Sequence, residues 1–199
     1  MKKIIALSLI AALSALAGAA SATTITFDSL EQAGKGLQGM PSYTENGYTL
    51  TGGSFASAQQ NLTGWYFGSA SLFNNIGDGV TTLAKNDGTS FDFDSIDLAP
   101  LATAFGSGAT VSFVGLVHGG GTVNASYTMN SGYAFHTFAL TGFDNLDSVS
   151  WTESSPYHQF DNIVLKSSAE VPEPGSLALL GLGVLGLGAV RRRKQGAAA

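Results

Sequence analysis

Phe91-Asp92-Phe93-Asp94-Ser95-Ile96-Asp97-Leu98 carries the clearest two-residue period in the chain. In an extended chain successive side chains point to opposite faces, so Phe91 and Phe93 fall on one side and Asp92 and Asp94 on the other. One face of such a strand belongs in a core and the other in water. Outward from this stretch the same short apolar-polar alternation recurs, broken by Gly, Asn, Asp and Ser, with no sustained 3.6-residue stripe. The pattern predicts about nine or ten strands, clearest at 24–27, 48–51, 80–84, 89–98, 109–117, 122–129, 134–140, 148–153 and 158–166. Gly119-Gly120-Gly121 and Asn130-Ser131-Gly132 sit where hairpin turns are needed. Strands this short and this evenly spaced imply an all-β sandwich or barrel and not alternating βαβ units.

Composition supports one globular domain between two address labels. Of 199 residues only 12% are charged and 26 are Gly, too apolar for a disordered chain or a coiled coil. Six of the nine basic residues lie in the terminal segments, at Lys2, Lys3, Arg191, Arg192, Arg193 and Lys194. Between Thr23 and Glu170 three Lys and no Arg face thirteen Asp and Glu, a formal charge of -10. A surface of that sign repels phosphate backbones and excludes nucleic acid as a partner. With no Cys in the chain, stability has to come from packing and, at most, from metal.

Residues 1–22 have the order of a signal peptide, with basic Lys2 and Lys3, an apolar run from Ile4 to Leu16, and Ala20-Ser21-Ala22 as the site for signal peptidase. Residues 23–168 form the expected ectodomain. Residues 169–199 hold Val171-Pro172-Glu173-Pro174, the uncharged segment 177–190, and the basic group Arg191-Arg192-Arg193-Lys194. As a helix those fourteen residues reach about 21 Å, short of a hydrocarbon core of about 30 Å. Such a short apolar transmembrane helix is a transient stop in the inner membrane, with the basic group held on the cytoplasmic side.

This tripartite end resembles the PEP-CTERM sorting signal of Gram-negative bacteria, through Val171, Pro172, Glu173 and Pro174 followed by Arg191, Arg192 and Arg193. The resemblance implies recognition by an exosortase and delivery of an exported protein to the cell surface or an exopolysaccharide matrix. The ectodomain, in Ile25-Thr26-Phe27-Asp28, in the stretch 91–98 and in Phe160-Asp161-Asn162-Ile163-Val164-Leu165, resembles the jelly-roll β-sandwiches of carbohydrate-binding modules and other PEP-CTERM ectodomains. In such modules a first-strand acid and a last-strand acid share a structural Ca2+. That implication falls on Asp28 and Asp161, with a hydrogen-bonded or exposed carboxylate as the alternative.

Other chemistry has less to stand on. His118-Gly119-Gly120-Gly121 copies the oxyanion loop of esterases, but no Gly-x-Ser-x-Gly accompanies it, so it reads as a turn. His136 and His158 have no partner at zinc-ligand spacing. Asp92 and Asp94 are the solvent side of their strand. Trp65, Tyr66, Trp151 and Tyr157 are the aromatic residues on which a sugar ring could stack, or else members of the core; Trp151 shares a face with Val149, which favours the core. The resulting expectation is a non-enzymatic structural or glycan-binding ectodomain, with a carbohydrate-active or other surface hydrolase as the alternative.

Overall fold

The computed structural model describes residues 22–31, 37–59, 70–101, 109–129, 134–152 and 157–167. All of them belong to one of the two units into which the chain divides, Ala20–Ser168. The segments 1–19 and 169–199, the stretch Asn130-Ser131-Gly132 where a turn is expected, and Trp65 and Tyr66 lie outside the described residues.

Thirteen strands make up the fold: β1 (Ala22–Ile25), β2 (Gln38–Met40), β3 (Tyr43–Glu45), β4 (Tyr48–Thr51), β5 (Phe55–Gln59), β6 (Ala70–Asn74), β7 (Val80–Lys85), β8 (Phe91–Pro100), β9 (Thr110–Val117), β10 (Thr122–Thr128), β11 (His136–Ala139), β12 (Leu146–Thr152) and β13 (His158–Ser167). They lie in two layers. The first runs β2-β5-β6-β13-β8-β11, with β1 alongside the second half of β13. The second runs β10-β9-β12-β7-β4-β3. Leu146 opposite Phe91 joins them, and every pairing is antiparallel. From β7 onward the chain mostly changes layer between consecutive strands, as a jelly-roll sandwich requires.

The inward rows of the two layers meet as aromatic contacts. Trp151 of β12 stands edge-on to Phe160 of β13 at 5.1 Å and to Phe93 of β8 at 6.4 Å. Phe113 of β9 lies 5.5 Å from Trp151, and Tyr48 of β4 lies edge-on to Phe91 at 5.4 Å. These offset and edge-to-face arrangements are the favourable ones for aromatic quadrupoles, and they add to the gain from burying the rings. Gly115 of β9 sits inside this core because a methyl there would come within 2.8 Å of Val123 and 3.1 Å of Leu146 and Phe143.

The alternation read from 91–98 holds only in two halves. Phe91 and Phe93 are buried, but the next buried pair is Ile96 and Leu98, three residues on. A matching break occurs on β13 between Phe160 and Ile163. The register explains both. Asp161 stands opposite Asp97 and Val164 opposite Ser95, which leaves one extra residue on β13. Leu165 then stands opposite Phe93, which leaves one extra on β8. Asn162 takes up the β13 bulge with φ 45, a conformation Asn tolerates better than most residues.

The first strand ends at Ile25 and not at Phe27 as the alternation predicts. Phe27 has φ 57 and opens a short 3-10 turn, Asp28–Leu30. Its ring is fully buried, 5.1 Å from Tyr43 and 5.8 Å from Phe160. Strands β2, β3, β5 and β6 are additional to those read from the sequence. The hairpin joining β3 to β4 turns through Asn46 (φ 50) and Gly47 (φ 83), the left-handed pair that a two-residue turn of this twist demands. The glycine turn between β9 and β10 is as expected, with Gly119, Gly120 and Gly121 all at positive φ.

The outward face of the second layer carries no charged side chain along its rows. Thr110, Ser112, Val114 and Leu116 of β9 are exposed, as are Thr122, Asn124, Ser126 and Thr128 of β10. The rows continue through Ser150 and Thr82, which pair across β12 and β7. Charge appears at one end, where His118 Nδ1 lies 2.7 Å from Asp147 Oδ1.

Candidate functional site

The outward face of the first layer is built differently. Where β13 bulges, Asp161 is set directly opposite Asp97 of β8, so the two carboxylates share a face. Asp97 is fully engaged. Its Oδ1 accepts from Thr137 Oγ1 of β11 at 2.5 Å, and its Oδ2 accepts from Asn162 Nδ2 at 3.0 Å. Asp161, only 6% exposed, accepts from the Asn162 backbone N–H at 2.7 Å. The bulge therefore gives β13 a ring of side-chain and main-chain hydrogen bonds that a regular strand would not make.

Beside this polar group the face becomes apolar. Ala56, Ala58, Phe73 and Leu101 form a second buried cluster, with Phe135 and Tyr157 packed against it. Gln159 crosses between the two regions. It is fully buried, accepts from Ser71 Oγ at 2.8 Å and donates to the Pro100 carbonyl at 3.2 Å, so its amide is satisfied on both sides. Tyr157 is half-buried, and its carbonyl accepts from the Leu101 N–H at 3.0 Å. Further along β13, Lys166 Nζ donates to Asp94 at 2.8 Å, and that hydrogen bond holds the ammonium above its ordinary range.

Of the aromatic residues read as ligand-facing, Tyr157 reaches this face and Trp151 does not. Trp151 is a correction. It is 1% exposed, enclosed by Phe93, Phe113 and Phe160, because its position in β12 shares the inward row with Val149. Trp65 and Tyr66 fall in 60–69, outside the described residues. Asp97, Thr137 and Asn162 are members of the site that sequence reasoning missed. They converge only through the pairing of β8 with β13 and β11.

The resemblance implies a calcium ion shared by Asp28 and Asp161. Asp28 is exposed in the 3-10 turn after β1, and β1 does pair with β13, which carries Asp161. Calcium takes six to eight oxygen ligands. Among the described residues no three His, Cys, Asp or Glu side chains come together as a metal group, so a calcium ion at Asp28 and Asp161 would need further oxygens from carbonyls, hydroxyls or amides. The histidines are dispersed. His118 pairs with Asp147, His136 is exposed at the start of β11, and His158 is buried beside Phe160 at 6.2 Å. Among the described residues no helix is long and apolar enough to cross a membrane.

Comparison with known proteins gives two kinds of likeness. Residues 170–194 match the PEP-CTERM protein-sorting motif. Among solved structures the ectodomain is similar to family 29 carbohydrate-binding modules. One is a mutant complexed with mannohexaose, at 16% identity and TM-score 0.43, covering 75% of this chain and 93% of that one. A second mutant gives 14% identity and TM-score 0.43, covering 77% and 99%. A third, described as carbohydrate binding module family 29, gives 16% and 0.37, covering 75% and 90%. No curated protein matches the chain. The chain is thus an all-β sandwich that ends in a PEP-CTERM protein-sorting motif.

Proposed function

We propose that this is an exported, non-enzymatic surface protein whose ectodomain holds a glycan on the outward face of its first layer. Residues 1–22 would be removed by signal peptidase. An exosortase would then act near Val171-Pro172-Glu173-Pro174 while the apolar segment rests in the inner membrane, releasing the ectodomain to the cell surface or an exopolysaccharide matrix. The observation that carries this reading is the sorting motif over 170–194.

For the ectodomain, support comes from a face that pairs aromatic with hydrogen-bonding groups. Tyr157 and Phe135 offer apolar rings, while Asp97, Asn162 and Thr137 form a fixed polar group on the same layer. A sugar presents just these two needs, an apolar ring face and a rim of hydroxyls. A hydrolase would use Asp97 and Asp161 as acid and base. Against it, both oxygens of Asp97 are committed to Thr137 and Asn162, and Asp161 is bound to its neighbour's N–H. A general acid or base has to exchange its proton with substrate, and these carboxylates serve the bulge instead.

Sorting is tested by intact-mass measurement and fractionation of the native protein beside a variant with Pro172, Glu173 and Pro174 all changed to Ala. The native form should be trimmed at both ends and found at the surface or in the matrix, with the variant held in the inner membrane. Full-length protein in the membrane in both cases would refute it. Glycan binding is tested by pull-down on the matrix polysaccharide with Tyr157→Ala and Asp97→Asn. Binding unchanged in both, with the fold intact, would remove this face from the reading.

A further inference from the structure

The geometry points to a second interaction surface, the uncharged outward face of the second layer, as the contact through which two copies of this chain pair. The ectodomain stretch has a formal charge of -10, so two copies repel each other over most of their surfaces. Along the rows of β9 and β10 that repulsion has no source. Every outward residue there is Ser, Thr, Asn, Val or Leu, and His118 and Asp147 sit together at one end.

Two further properties fit this face for exclusion of water. Its aliphatic side chains stand out, with Val80 at 45%, Val114 at 40% and Leu116 at 45% exposure, so their burial is still to be gained. Four of its hydroxyls are already partnered across the strands. Thr110 and Thr128 share a hydrogen bond of 2.9 Å, and so do Ser112 and Ser126. A hydroxyl satisfied inside its own sheet loses little when water leaves, whereas an unpaired one would be left with its hydrogen bond to water broken and nothing in return.

Size also fits. With strands about 4.8 Å apart and about 3.3 Å per residue, four long strands and two short ones give roughly 550 Å² per copy, or about 1,100 Å² for a pair. That clears the approximately 1,000 Å² a specific interface needs. The contact would be isologous, the same face meeting itself about a two-fold axis, which closes at two copies. A charged partner would find no ion pair along these rows, which is why a second copy fits better than an anionic polymer or a lipid surface.

The absence of cysteine makes the test clean. Full-length chain carrying Val114→Cys, extracted in mild detergent, is treated with a bismaleimide cross-linker and run on a denaturing gel. Thr141→Cys, in the exposed turn that follows β11 of the first layer, is the control. A doubled band for Val114→Cys but not for Thr141→Cys, lost again when Leu116→Lys is added, is the expected result. Leu116 is outward, so the lysine should leave thermal unfolding unchanged, and that measurement separates a broken contact from a broken fold. Equal cross-linking at both positions, a doubled band that survives both Leu116→Lys and Val80→Lys, or no doubled band at all would overturn the pairing. If the lysine variants instead weaken retention on a neutral polysaccharide while the chain stays single, the face belongs to a glycan and the dimer is refuted.

Discussion

Glu45→Gln should destabilise the sandwich almost as much as Glu45→Ala, although Gln is nearly the same shape. Glu45 ends β3 and reaches the corner where β1 becomes the 3-10 turn. Its Oε1 accepts from the Thr26 N–H at 3.2 Å and its Oε2 from the Phe27 N–H at 3.1 Å. Oε2 also accepts from the Tyr43 hydroxyl at 2.7 Å. Each oxygen therefore faces a backbone donor. An amide can place only one oxygen here, and whichever way it is turned its NH₂ meets an N–H. One charge-assisted bond is lost and a donor is opposed to a donor, a cost of about 2 kcal/mol. What that bond holds is Phe27, a non-glycine residue in the left-handed region whose backbone costs roughly 1–2 kcal/mol to keep there. For an ectodomain of this size about 2 kcal/mol lowers Tm by about 4–8 °C. Thermal unfolding followed by tryptophan fluorescence reads the change. A Glu45→Gln variant that melts with the native protein, while Glu45→Ala melts lower, would show that the carboxylate only fills space.

Three other outcomes follow from the same structure. Burial pushes the Tyr43 hydroxyl up to about 12, against 10.0 in the unfolded chain. Its neutral form is thus favoured by folding: the contribution is complete below about pH 10 and is lost as pH rises toward 12, a loss of stability that should be absent from the alkaline melting curve of Tyr43→Phe. Trp151→Ala should cost about 3–5 kcal/mol, whereas Trp151→Phe should cost much less than its lost area suggests, because the buried Nε1–H has no acceptor among the described residues and its removal relieves that group; denaturant midpoints of the two variants would tell. The calcium reading of Asp28 and Asp161 requires that EDTA lower Tm and that added calcium restore it, with Asp161→Asn abolishing the response; a melting curve indifferent to EDTA removes that reading.

The residues that alternate in the sequence are those whose strands have one wet face, and these could be read directly. Strands β9 and β10 are such cases, each with every second residue exposed. β6 could not be read this way. All five of its residues are buried, Leu72 in the main core and Phe73 in the second cluster, so Ala70–Asn74 has no polar face to alternate with. β3 is three residues long, and the signal that would have found it is the Asn46-Gly47 pair between two matched alternating runs. Trp151 was legible as core from its shared face with Val149, since two-residue periodicity is a local property of one strand.

Fold class was legible in the two-residue period of the strands, and the sorting motif at residues 170–194 was legible because it is a linear arrangement of motif, apolar segment and basic group that needs no folding to be read. The site on the first layer was decided by tertiary structure alone. Asp97 meets Asp161 because β8 pairs with β13, Thr137 joins because β11 pairs with β8, and Asn162 reaches Asp97 because a bulge re-aims it. None of those registers is written in any single segment, since each is fixed only when two strands distant in the chain bury their apolar rows against one core.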